Sequence, residues 1–245
     1  MLLEIPPEQI QTTIEQCARE LLAEAGIEQP PVDAIELARR LGLTVAQDGP
    51  SEVRARFVRL SPHSAGTILL ADEVRSERRQ WAVAHEIGEF ATRRVFAELG
   101  VPLVDIQLSA REQMANQLAG ALLLPGNWFQ ANGDQVDWDL LDLKSRFDTA
   151  SHELIARRML QMSPAVIISL FDQGKLIWRR SNLMHRPRPL TDAEHKAWQV
   201  THQQCQASRL DQNELPEGLS DIRCWPVHEA NWSREIMRTE LEEWQ

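Results

Sequence analysis

His85, Glu86 and Glu89 stand as His-Glu-x-x-Glu within the run Gln80-Trp81-Ala82-Val83-Ala84-His85-Glu86-Ile87-Gly88-Glu89-Phe90-Ala91. On a helix, residues 85 and 89 lie one turn apart on one face, and Glu86 sits about 100° round from His85. Val83, Ile87, Phe90 and Val95 supply apolar flanks. Metal-dependent hydrolases use this layout with His in the last position: two ligands four residues apart, and a Glu beside the first that handles water. Here the last position is Glu. A carboxylate is a legitimate zinc ligand of similar reach, so the change alters charge more than geometry. A Zn²⁺ ion held by one His and two carboxylates is formally neutral, acidifies water less and is a weaker Lewis acid. An oxygen-rich set also shifts preference toward harder ions such as Mn²⁺.

The five-residue pattern alone is weak, since His-Glu recurs at His152-Glu153 and His228-Glu229. A catalytic site of this kind needs a third ligand from a neighbouring element, leaving one position open. Glu112 is the candidate. Ser109-x-x-Glu112 also reads as a capping box, which would turn the same side chain back onto its own helix start. Asn116, one turn further on, can hydrogen-bond a ligand or act as a helix-packing amide. Without a cation, Glu86, Glu89 and Glu112 would crowd like charges and raise one another's pKa values. Arg93, one turn beyond Glu89, offers the alternative of a salt bridge. A hydrolase also needs a donor for the developing oxyanion. The chain has no tyrosine, which leaves His63, Arg54 and Arg56 as candidates.

These residues need elements to hold them. Pro6-Pro7-Glu8 opens a helix to about Ala25, stopped by Gly26. Asp33 with Glu36 starts another that ends at Gly42. Leu43–Ala46, Val53–Leu60 and Thr67–Leu70 read as strands of a small sheet. The third feeds a helix from about Val74 to Leu99, which carries the His-Glu-x-x-Glu. Gly88 costs that helix about 1 kcal/mol relative to Ala, and close approach of another backbone would account for it. A second helix follows from Ser109, with a small-residue stripe at Ala115, Ala119 and Ala121, ended by Pro125-Gly126. Asp137–Phe147 and Ser151–Met162 form a helix-turn-helix-like hairpin. Pro164–Asp172 and Lys175–Arg180 form a β-hairpin across Gln173-Gly174. Arg186-Pro187-Arg188-Pro189 reads as a linker, and Thr191 with Glu194 caps a helix to about Arg209. Beyond it, Asp221–Val227 and Ser233–Trp244 stand out but are not assigned to an element.

At 245 residues the chain has room for one large or two small domains, and its apolar fraction of 43% is ordinary for a globular protein. The formal net charge of -10 argues against general nucleic-acid or anionic-membrane binding. Residues 141–190 depart from this, with nine Lys/Arg against four Asp/Glu, and read as a separate interaction surface. Cys17, Cys205 and Cys224 are odd in number and widely spaced, which points to a reducing cytoplasm. No secretory signal opens the sequence and no apolar run is long enough to span a bilayer.

The run from Glu77 to Gly88, followed by Glu112-Gln-Met-Ala-Asn116-Gln-Leu-Ala-Gly-Ala-Leu-Leu-Leu-Pro125, resembles the ImmA/IrrE family of metallo-endopeptidases. That family joins an Ala-His-Glu-x-Gly-His helix to a second helix of form Glu-x-x-Ala-Asn-x-x-Ala-x-x-Leu-Leu-x-Pro. The resemblance covers about residues 30–180 and departs at Glu89, where the family has His. It implies an α+β, zincin-like domain with His85 and Glu112 as zinc ligands and Glu86 as general base. Glu89 would complete the ligand set, with Zn²⁺ or, given two carboxylates, Mn²⁺. It further implies a protein substrate, a helix-turn-helix transcriptional repressor, cleaved under stress. The expected organisation is a peptidase domain over 1–135, the helical hairpin over 136–163 and a C-terminal α+β module over 164–245, sensory or partner-binding. The alternatives are a catalytically silent relative that binds a regulatory protein, and a DNA-binding regulator reading through residues 137–162.

Overall fold

The structure, a computed structural model, describes residues 5–49, 54–58, 66–102, 104, 106–229 and 231–242. It is α+β, as expected. The chain folds into two compact units, one of Met1–Gln135 with Lys144–Ser151 and one of Val136–Leu143 with His152–Gln245.

In the first unit, α1 (Pro7–Glu24) starts at a proline and buries Ile14, Cys17, Ala18, Leu21 and Leu22, the i, i+3, i+4, i+7 stripe of an amphipathic helix. The side chain of Asp33 caps α2 (Ala34–Arg40) by accepting from the Ile35 and Glu36 amides. Glu36 does not close the expected box; it pairs with Arg40 at 2.8 Å. A small sheet follows in the order β1 (Thr44–Gly49), β3 (Thr67–Ala71), β2 (Ala55–Val58), with β1 parallel and β2 antiparallel to β3. Strand β3 leads into α3 (Ser76–Glu98). The buried side of α3 includes Ala84, Ile87, Gly88, Ala91 and Val95. It meets the Ala115, Leu118, Ala119 and Leu122 side of α4 (Leu108–Leu123). Gln80 of α3 accepts the Ala34 amide at 2.6 Å, tying α2 to the same helix.

A helix not anticipated from sequence, α5 (Gly126–Gln135), follows Pro125. Its Gly and Asn residues are weak helix formers. Tertiary contacts compensate: Glu15 accepts the Gly126 amide at 3.1 Å, and the Phe129 ring packs 5.4 Å from Phe147.

The chain passes through α6 (Leu140–Arg146) into α7 (His152–Met159). The second unit is built on an antiparallel sheet ordered β5 (Lys175–Ser181), β4 (Val166–Asp172), β8 (Arg234–Leu241), β7 (Leu219–Pro226), β6 (Ser208–Arg209). The β4–β5 hairpin turns at Gln173 and Gly174, with φ of +51° and +76°, the double left-handed turn that matches strand twist. Helix α8 (Asp192–Gln204) packs on one face through Ala197, against Phe171, Ile222, Cys224 and Met237. The expected Thr191–Glu194 capping box is present. The helix stops earlier than the expected Arg209, because Cys205 turns left-handed at φ +53° and the chain continues as β6. No helix among the described residues is long and apolar enough to cross a membrane.

Candidate metal centre

Helix α3 supplies His85, Glu86 and Glu89; α4 supplies Glu112 and Asn116. An ideal Cβ built on Gly88 would lie 2.5 Å from the Ala115 carbonyl oxygen. Only glycine lets the two backbones approach this closely, and the approach brings the two sets of side chains together. One ligand atom each from His85, Glu89 and Glu112 lies within 4.8 Å of the others. His85 Nε2 lies 3.5 Å from Glu112 Oε2. On the other side of the ring, Nδ1 lies 3.1 Å from the Asn116 carboxamide oxygen. That oxygen only accepts, so Nδ1 carries hydrogen, and Nε2, which faces Glu112, is the ring atom left to bind a cation.

Glu86 is not one of the trio but lies within electrostatic reach of all three. It is 7% exposed, and the Phe57 backbone N–H on β2 donates to its carboxylate. Phe57 is itself anchored on α3, its ring 5.7 Å from that of Phe90. Gly66 leaves room for the same ring, since a Cβ there would run into it. Burial holds the Glu86 carboxyl above the usual range for a glutamate. The charges of Glu89 and Glu112 add to the rise, while His85 and the Phe57 amide oppose it. The Phe57 contact carried no sequence signal, because any residue on β2 offers the same backbone group.

The competing capping role for Glu112 is not realised. Helix α4 is capped at Gln107 and begins at Leu108, with no side-chain cap. Ser109 is therefore inside the first turn, and Glu112 is free to face His85. The Arg93 salt bridge is also not formed: among the described residues Arg93 is exposed and has no carboxylate partner. Of the oxyanion-donor candidates, Arg54 approaches Glu73 at 3.8 Å and Arg56 pairs with Asp48 at 2.9 Å. His63 lies outside the described residues.

The model of the IrrE N-terminal-like domain, peptidase family M78, matches residues 38–160, just over half of the chain, and takes in all five of these side chains. The chain belongs to this family. Among solved structures, a Mycobacterium tuberculosis transcriptional regulator is similar in fold, with a TM-score of 0.65 over 97% of this chain and 81% of that one, at 18% identity. No curated protein matches. The zincin-like α+β architecture with a C-terminal α/β module is thus the fold of an IrrE-type chain. In this IrrE-like domain the donor set fits a divalent cation. It comprises one imidazole, with Nε2 on the carboxylate side, and two carboxylates, and no described lysine or arginine is ion-paired with any of them.

The hairpin arginines are engaged within the second unit. Arg158 is 4% exposed, and Arg157 pairs with Glu153 at 2.8 Å while lying over the Trp178 ring at 4.6 Å. Side chains committed in this way are poorly placed to read DNA.

Proposed function

We propose that this chain is a metal-dependent endopeptidase of the ImmA/IrrE type, acting on a helix-turn-helix transcriptional repressor. The observation that carries the reading is the convergence of His85, Glu89 and Glu112 on one point beside a buried Glu86. His85 through Nε2, Glu89 and Glu112 would hold the ion, Zn²⁺ or Mn²⁺, and Asn116 would orient the His85 ring. Such an ion lowers the pKa of water and polarises a peptide carbonyl. Glu86 is the general base: its carboxylate takes a proton from the attacking water and passes it to the leaving amine. Its raised affinity for that proton suits the second half of the task, and the Phe57 amide fixes the carboxylate against β2. Glu89 itself favours a second reading, a silent relative that binds its partner without cutting, since two carboxylates leave the ion a weaker acid.

Metal analysis of protein purified without chelator, combined with repressor proteolysis in added Zn²⁺ or Mn²⁺, separates the two. The peptidase reading expects one ion per chain, lost in Glu89→Ala, and cleavage lost in Glu86→Gln with the ion retained. No stoichiometric metal and no cleavage with either ion would sink it. A Glu89→His variant that alone cuts would assign the silent role to the natural chain.

A further inference from the structure

The sheet of the second unit carries a row of arginines. Strand register pairs Arg209 with Arg223, Arg223 with Arg238, Arg238 with Ile168, and Ile168 with Arg180. Directly paired residues share a face, so four of the five strands present an arginine on the same line, on the face opposite α8. Like charges directly opposite one another are unfavourable, and this row lies in a chain of net charge -10.

The carboxylates around the row do not balance it. Arg209 and Arg223 share Asp221 and Asp137, at 2.9 Å for Arg209–Asp221 and 2.6 Å for Arg223–Asp221. Among the described residues Arg238 pairs directly with Glu240, 2.7 Å from Nη2, and feels Asp221 at longer range. Arg180 has no carboxylate partner among the described residues; its contact is the Trp178 ring. Three of the four guanidinium groups thus share three carboxylates, and Arg180 has none among the described residues. Arg238 is 1% exposed and its Nε has no hydrogen-bond partner. Burial pushes its pKa down, helped by the charge of Arg223 and opposed by Glu240 and Asp221. A buried guanidinium met on one side only by Glu240, with Nε left without a partner among the described residues, is a cost to the fold that a further anion would offset.

The segment over the row is strained. Asp137 and Trp138 both have positive φ, +50° and +58°, and neither is glycine. Asp137 reaches Arg223 through both its carboxylate and its carbonyl, the latter at 2.6 Å, and Arg209 at 3.3 Å. The Trp138 ring lies 5.8 Å from the Arg238 guanidinium carbon. The Asp137 carboxylate is largely exposed, at the rim of the row.

We propose that the arginine row is the floor of a binding site for a phosphate-bearing small molecule, with Asp137 an internal competitor for the same guanidinium forks. Phosphate fits better than a single carboxylate, because its oxygens can be shared by several forks at once. Binding displaces the Asp137 carboxylate and relaxes the left-handed pair.

The test uses the full chain and reads the thermal midpoint against inorganic phosphate, AMP and succinate, at ionic strength held constant with sodium chloride. Phosphate or AMP should raise the midpoint and succinate should not; phosphate alone indicates free phosphate, AMP alone a phosphomonoester. Asp137→Asn keeps a residue tolerant of positive φ and removes the competing charge, so its apparent Kd for the active anion should fall about tenfold. Arg209→Gln, on the exposed rim, should weaken the response. Arg238→Met should abolish it without lowering the midpoint in chloride. No anion-specific shift in the natural chain overturns the proposal. So does an Asp137→Asn variant that is merely less stable in every salt, or succinate acting as strongly as phosphate. None of these readouts depends on metal or proteolysis.

Discussion

The Asn116 carboxamide oxygen and His85 Nδ1 lie 3.1 Å apart, bridging α4 to α3 on the side of the imidazole away from Glu112. This contact selects the tautomer that offers Nε2 as the donor atom. Removing it frees the ring to rotate without touching any proposed ligand. Asn116→Ala should weaken Zn²⁺ affinity by about 10- to 100-fold while leaving the circular dichroism spectrum unchanged. Asn116→Asp should keep most of the affinity, since a carboxylate also accepts from Nδ1. Competition against a chromophoric chelator measures both. An alanine variant that binds metal as tightly as the natural chain would reduce Asn116 to a packing amide.

Gly88 poses two opposing effects of similar origin. In an isolated helix, Gly88→Ala would stabilise by about 1 kcal/mol. In this fold its Cβ would meet the Ala115 carbonyl at 2.5 Å, and backbone cannot move aside as a flexible side chain can. Overpacking of this kind costs about 1–3 kcal/mol, so the clash should win. The variant should melt lower than the natural chain and bind metal less tightly, because the shift that relieves the clash moves Glu112 away from His85. A higher melting midpoint would show that α3 and α4 separate at little cost.

Much of this arrangement was legible in the sequence, for identifiable reasons. Gly88 facing a stripe of small residues announces a close helix crossing, and Thr191 with Glu194 announces a helix start; both motifs act through local sterics or local hydrogen bonds. Ser109 with Glu112 fits the same capping pattern and misleads, because the helix had already begun at Leu108. The end of α8 was hidden because Cys205 is an unusual residue for a left-handed turn. Strands β7 and β8 escaped notice for a physical reason: Asp221, Arg223, Glu235, Arg238 and Thr239 are buried on them, so the alternation of apolar and polar letters that marks a strand is broken. The Phe57 amide that holds Glu86 is main chain and has no letter at all.

The three cysteines differ in environment, and their chemistry should follow. Burial pushes the Cys17 thiol up to about 11 and Cys224 up to about 12, while Cys205 is exposed. A thiol reagent at pH 8 should label only Cys205 in the native chain and all three after denaturation. The two buried thiols have folded pKa values above the unfolded value of 9.0. Their contribution to stability is therefore complete below about pH 9 and is lost as pH rises through 11 and then 12. Cys17→Ala should flatten part of that alkaline decline at the expense of a small cavity. Equal labelling of all three native thiols at pH 8 would contradict the packing of α1 and β7.

Arg179 Nη2 donates to both carboxylate oxygens of Glu194, at 2.9 and 3.0 Å, with the Glu194 and Arg179 side chains 0% and 8% exposed. Glu194 also accepts from Thr239 Oγ1 at 2.6 Å and from the Thr191 amide at 2.9 Å. Arg179 donates further to Ser169 Oγ and the Arg188 carbonyl. Glu194→Gln preserves shape but leaves the Arg179 charge buried without its counter-ion, a loss of about 3–5 kcal/mol. The urea midpoint should fall accordingly. Arg179→Met combined with Glu194→Leu removes both charges and gives up the Glu194 half of the capping box, worth about 1 kcal/mol, while Thr191 still caps the helix. The double variant should therefore be more stable than Glu194→Gln alone, because what destabilises the single variant is the stranded cation rather than the missing attraction. If the double variant is instead the less stable of the two, the pair contributes net attraction beyond its desolvation cost, and α8 is held to the sheet by charge as much as by Ala197 and its apolar neighbours.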